Sequence, residues 1–249
     1  LAEMVPEPLL PFANATCDAC GIPVHLPPNC SLTPPGLGSG GDMPWLDAVL
    51  LALGAVVSLT LSSTTGGGIG AVSRARALQI TPRDAAFSIW AVIYPLLFAA
   101  AAFAYAAPVS RAWAVALSLA EVLTGAWAPL FVVNARASLI GAAVVLVFAA
   151  GASAAAVVAA GPLPRTDGLR AVCVHGATAL FAGWVLCAAF LSIGIAIEAS
   201  TDARVPPTSL LALALVAAAL AVAARNPVYA LPCAWALLMQ PRVQGPALV

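Results

Sequence analysis

Seven apolar runs, separated by short polar or proline-bearing joints, decide the solvent of this chain. They cover residues 46–62, 85–107, 111–133, 137–160, 171–197, 209–224 and 228–240. A helix rises 1.5 Å per residue, so about 20 apolar residues cross the ~30 Å of hydrocarbon in a bilayer. The first five runs reach or approach that length; the last two are short. Only 8% of residues are charged and 62% are hydrophobic, against about a quarter charged in an ordinary soluble domain. In lipid every backbone amide must bond inside its own segment, and the alanine-rich runs favour helix over strand. A β-barrel would need an alternation of polarity that these runs lack. The expected fold is all-α, a polytopic transmembrane bundle of about seven helices. The joint "RNP" at 225–227 reads as the tight turn either of two spans or of a re-entrant hairpin. "GGGIG" at 66–70 has neither the lysine nor the preceding strand of a phosphate loop, and reads as a flexible connection.

Ten bases, all of them arginine, balance ten acids. A zero net charge gives no reason to expect a nucleic-acid partner. The absence of lysine excludes chemistry built on a lysine Schiff base, whether retinal or pyridoxal phosphate. No paired carboxylates and no serine, histidine and acid motif are present, so no enzymatic activity is expected. With seven spans, Arg74, Arg76, Arg83, Arg136, Arg204 and Arg242 fall on one side and Arg111, Arg165, Arg170 and Arg225 on the other, a small bias. The chain up to Asp47 holds five acids and no base, and the N-terminus is read as lumenal or exoplasmic.

Residues 1–44 are rich in proline and glycine and have too little apolar periodicity for a core of their own. They are expected to form an extramembrane cap on the bundle at 45–249. Within the cap, Cys17, Cys20, His25 and Cys30 have the CxxCxxxxHxxxxC spacing of a zinc knuckle, where three thiolates and an imidazole close a tetrahedron. Two glycosylation sequons, Asn14-Ala15-Thr16 and Asn29-Cys30-Ser31, point instead to an oxidising compartment. A disulfide among the cysteines is therefore preferred to zinc.

The second run is the most informative. Thr81 has the character of a helix cap, Pro82 suits the first helical position, and Asp84 stands where a capping box places its acid. On a 100° helical step Phe87, Trp90, Tyr94, Phe98 and Tyr105 form one continuous aromatic face. Such a face either stacks on a flat conjugated ligand or packs against neighbouring helices and lipid. Pro95 is expected to bend the helix beside these rings. Ionisable groups inside spans are functional candidates because hydrocarbon makes them costly. Glu121 has three readings: a hydrogen bond to a ligand, a magnesium-centred pigment, or a neutral acid bonded to another helix, the last preferred. His175 reads either as an axial ligand to a haem or chlorophyll metal or as a hydrogen-bonded histidine near a helix end. Cys173, Cys187 and Cys233 read as small apolar residues.

"ITPRDAAFSIWAVIY" at 80–94 resembles the signature of the TspO/MBR family, the tryptophan-rich sensory proteins and translocator proteins, in its longer "TPAGYAFSIWGLIY"-like form. "GAWAPLF" at 125–131 is similar to that family's third-helix motif, "FAGWVLCAAF" at 181–190 to its "GWVxxA" segment, and "NPVYALPCAWAL" at 226–237 to its "DPAYALVVVWAL" ending. "TTGGGIGAVS" at 64–73 matches the long pattern as well. Thr124, Pro95 and the stretch 188–194 depart from the family's usual residues. The resemblance spans about 46–240 and implies a five-helix core within a longer bundle. It also implies binding of a porphyrin, haem, chlorophyll or other tetrapyrrole, or a sterol, against Phe87, Trp90, Tyr94 and Phe98. The motif tryptophans Trp127 and Trp184, with Glu121 and His175, complete the candidate set. A second reading is a structural or pigment-associated subunit of a photosynthetic or respiratory complex, docked through small-residue faces such as 151–161. Either reading suits an organelle membrane, thylakoid or mitochondrial. Few charges and no inverted repeat make a transporter weaker.

Overall fold

The structure, a computed structural model, describes residues 44–239 other than 77, 79, 80, 165, 202 and 207. The expected cap, with Cys17, Cys20, His25 and Cys30, lies outside the described residues. These contain seven helices and no strand: α1 (Pro44–Ala75), α2 (Asp84–Ala106), α3 (Arg111–Val132), α4 (Arg136–Ala160), α5 (Gly168–Ser200), α6 (Ser209–Ala223) and α7 (Pro227–Leu238). The first five are long and apolar enough to cross a membrane, which makes this an integral membrane protein. With 15 and 12 residues, α6 and α7 reach only about 22 and 18 Å at 1.5 Å per residue. They form a hairpin shorter than the hydrocarbon. Its turn uses Arg225 at φ 49°, and Asn226 is buried there, donating from Nδ2 to the carbonyl of His175 at 3.0 Å while its Oδ1 accepts from Val228 N at 3.1 Å. A turn at this depth needs such partners because lipid supplies none.

Two local expectations are corrected. "GGGIG" is not a flexible joint but part of α1, which continues to Ala75. Gly68 lies so close to Val132 of α3 that a Cβ there would meet its side chain. Close helix packing outweighs the propensity cost of glycine, about 1 kcal/mol per residue. The cap of α2 also differs. Thr81 accepts from Leu78 N through Oγ1 at 2.9 Å, the first helical residue is Asp84, and Asp84 pairs with Arg74 at 2.8 Å. The opening residues Asp84–Ile89 are wound as a 3₁₀ helix, braced by Arg83 N donating to Met239 O at 2.9 Å.

The five long helices form a ring in the spatial order α2, α1, α3, α4, α5, with α5 returning to α2. The seam between α1 and α3 is built on small residues: Gly54 faces Ser118 and Gly125 faces the backbone of Ser58, each within a distance a side chain would close. Without a hydrophobic drive between helices in lipid, such close approach carries the association. Across the ring, α3 and α5 are tied by two rungs. Trp113 Nε1 donates to Thr178 Oγ1 at 2.9 Å and Trp127 Nε1 to Ser192 Oγ at 3.1 Å. The tryptophans are 14 residues apart (127 − 113), as are the hydroxyls (192 − 178), about four turns each, so the two helices run parallel and in step. At one end of the ring Asp47 faces Arg111 at 3.5 Å and Arg170 reaches the Pro108 carbonyl at 3.2 Å. At the other, Arg74 pairs with Asp84, and Arg76 donates to Asn134 Oδ1 at 3.0 Å in the α3–α4 turn.

Candidate functional site

The aromatic face predicted on α2 divides in two. The division falls between Tyr94 and Phe98, inside the α-helical part of α2, and follows from which neighbours cover each ring. Phe87, Trp90 and Tyr94 turn into the bundle, whereas Phe98 and Tyr105 point outward, the latter 71% exposed. Trp90 stacks on Tyr94 with ring centres 5.0 Å apart and planes at 23°. It meets Trp184 and Phe181 of α5 edge-on at 6.3 and 6.4 Å, and Phe87 meets Trp184 edge-on at 6.0 Å. The hydroxyl of Tyr94 lies 3.3 Å from Ser58 Oγ and donates to Ser62 Oγ at 3.2 Å, which links α2 to α1. Trp127 packs on Phe131 at 4.9 Å.

These rings line three neighbouring spaces at the Arg74 end of the ring. A cavity of about 300 Å³ is lined by Phe87, Trp90, Thr124 and Trp127 together with Ile69 and Gly70 of α1, and Arg74 and Asp84 stand at its edge. A separate narrow cleft of about 40 Å³ is bordered by Phe87, Trp127, Trp184, Cys187 and Ser192. A shallower groove of about 420 Å³ passes on the other side of Trp90, between Ser62 of α1 and Pro95 of α2. The lining is mostly apolar and aromatic with a few convergent polar groups, and its main cavity is at the low end of the size of small-molecule sites.

The structure thus brings together Phe87, Trp90, Tyr94, Trp127 and Trp184, and leaves three of the sequence candidates apart. Phe98 lies on the outer face of α2, 36% exposed. Among the described residues His175 lines none of these spaces: it is buried in the π-helical turn Ala171–Gly176, toward the opposite end of α5. Glu121 lines none of them either. It is fully buried between α1 and α3 against Gly54, and neither carboxyl oxygen has a hydrogen-bond partner. Replacing it removes an unsatisfied polar group, so Glu121→Met is expected to stabilise the protein by about 1–3 kcal/mol. The thermal unfolding midpoint in detergent should rise, and a fall would show that the carboxyl has an essential partner. The residues that sequence reasoning missed are partners rather than rings: Ser58 and Ser62 for Tyr94, Thr178 and Ser192 for the tryptophans, and Arg74 and Asp84 at the cavity edge. A signal for the first pair existed, since Ser58 and Ser62 stand one helical turn apart within an apolar run.

Comparison with known proteins agrees with this architecture. The sequence model of the family described as TSPO-like protein matches residues 45–239. Neither a curated protein nor a solved structure matches the chain.

Proposed function

The chain belongs to the TSPO-like protein family, and from that premise we propose that it binds a tetrapyrrole, or a similarly flat hydrophobic molecule, in the aromatic cavity at the Arg74 end of the bundle. The observation that carries this reading is the convergence of Phe87, Trp90 and Trp127 on one cavity whose edge holds a cation, Arg74. Aromatic faces favour offset or edge contacts with a conjugated ring. A carboxylate at the ring's margin would find Arg74, whose pairing with Asp84 is exposed and therefore contributes little, about 0–1 kcal/mol, that a ligand must displace. Because His175 lies elsewhere, binding in this reading needs no axial histidine, and metal-free porphyrins are taken as readily as haem or chlorophyll. The protein acts as a receptor or carrier and performs no chemistry on the ligand.

The test is a titration of the purified chain with protoporphyrin, read by Soret absorbance and tryptophan quenching. Trp90→Ala and Trp127→Ala are expected to weaken binding at least about tenfold, equivalent to about 1.4 kcal/mol. Phe98→Ala and His175→Ala should leave it unchanged. Arg74→Gln should weaken the dicarboxylate but not its dimethyl ester. Titrations that Trp90→Ala leaves unaltered overturn the proposal, and competition by a sterol alone would replace the tetrapyrrole with that class. Co-migration of the native protein with a large complex, without any porphyrin response, would favour the structural-subunit reading.

A further inference from the structure

Cys187 of α5 and Cys233 of α7 are both buried, and their sulfur atoms lie 2.6 Å apart. That is about half an ångström beyond a covalent S–S bond. The closeness has a cause one turn earlier on both helices. Gly183 has no side chain, so the carbonyl of Tyr229 and the ring of Pro232 press directly on α5. The helices run side by side from there, and four residues on from Gly183 and Tyr229 stand the two cysteines. Cys187 also lines the narrow cleft beside Phe87, Trp127 and Trp184, the side from which a small uncharged oxidant would reach its sulfur. The third described cysteine, Cys173, has no sulfur neighbour of this kind among the described residues.

The geometry points to a modification site: Cys187 and Cys233 are a thiol pair that a hydroperoxide converts to an intramembrane disulfide joining α5 to α7. The step balances in two stages. The sulfur of Cys187 attacks one peroxide oxygen, the O–O bond breaks, and the thiol proton leaves with the departing hydroxide as water, giving a sulfenic acid. The sulfur of Cys233 then attacks that of Cys187; the S–S bond forms, the S–O bond breaks, and the second thiol proton leaves with the hydroxide as another water. Two thiols are oxidised by two electrons, and hydrogen peroxide is reduced to two waters. The bond fixes α7, and α7 holds the opening turn of α2: Trp235 Nε1 donates to Ala86 O at 3.0 Å, and Met239 O accepts from Arg83 N. Oxidation therefore locks the segment that carries Phe87 into the cavity wall, and the bond itself forms whether or not a tetrapyrrole is the ligand.

The full chain in detergent, reduced and then treated with hydrogen peroxide, is alkylated under denaturing conditions and cleaved after arginine. A linked pair of peptides, 171–204 with 226–242, is expected, lighter than their sum by two hydrogens and separated by dithiothreitol. Cys173→Ser should retain the link, and Cys233→Ser should lose it while leaving a Cys187 sulfenic acid that a cyclic 1,3-dione traps. Recovery of both cysteines fully alkylated after peroxide, or as sulfinic and sulfonic acids without any link, overturns the proposal. So does a link that persists in Cys187→Ser.

Discussion

Gly183→Val is expected to be among the most damaging single substitutions in the bundle, destabilising it by about 3 kcal/mol. The added Cβ would fall on the Tyr229 carbonyl oxygen, which is backbone, and against two carbons of the Pro232 ring. Neither can rotate away as a flexible side chain would. Relief therefore requires the whole of α7 to move off α5, and that movement withdraws Trp235 from the Ala86 carbonyl and Met239 from Arg83. The effect should be visible as a lower thermal midpoint and as faster proteolysis in the Leu78–Asp84 connection. A variant as stable as the parent would mean that α7 is not seated on Gly183. Gly151→Val is the matching control, because nothing stands within 4 Å of a Cβ at that position.

The second large effect is expected at Trp113. Its side chain is fully buried, it is the largest such residue among the described residues, and it forms one of the two rungs from α3 to α5. Trp113→Ala leaves a cavity and removes the donor to Thr178. In water-soluble cores tryptophan-to-alanine changes cost about 3–5 kcal/mol. Lipid is as apolar as the core, so the transfer part of that cost shrinks while lost packing remains, and about 3 kcal/mol is expected here. Thr178→Val should cost less, about 1 kcal/mol, because the indole N–H alone is left unpaired and Thr178 already donates to the Val174 carbonyl. A double-mutant cycle read by unfolding in mixed micelles separates the rung from the packing. Equal effects of the two single changes would contradict this division.

The helices were legible because their cause is local. Runs long enough to span lipid predict α2 to α5 to within a few residues, the two short runs predict α6 and α7 as closely, and the family motifs locate the rings that the structure gathers at Trp90, Trp127 and Trp184. What escaped was decided by partners far away in sequence. α1 ran past its predicted end because Val132 of α3 packs on Gly68, which no local propensity reports. Asp84 read as a cap, yet it faces Arg74, ten residues back across a connection. The aromatic face divides between Tyr94, whose hydroxyl meets Ser58 and Ser62 of α1, and the exposed Phe98, because a helical angle reports which residues share a side and not which neighbour covers them. Cys187 and Cys233, read as small apolar residues, are neighbours only because Gly183 lets α7 approach.

The length of α1 has a consequence for how the cavity is reached. Trp45 is half exposed at its start, where tryptophan settles at the lipid–water boundary. About 20 residues from there cover the hydrocarbon, yet the helix continues to Ala75, about 48 Å in all for its 32 residues. It must lean or overhang, and an overhang at its C-terminal end would bring its final turns, with Ile69, Gly70 and Arg74, to the level of the phospholipid headgroups. These same turns form part of the cavity wall. On the reading proposed above, a greasy ring with acidic tails would lie at that level in a leaflet, rings down and acids up, and could slide in sideways without ever being fully dissolved in water. Uptake would then follow the amount held in the bilayer rather than the free aqueous concentration.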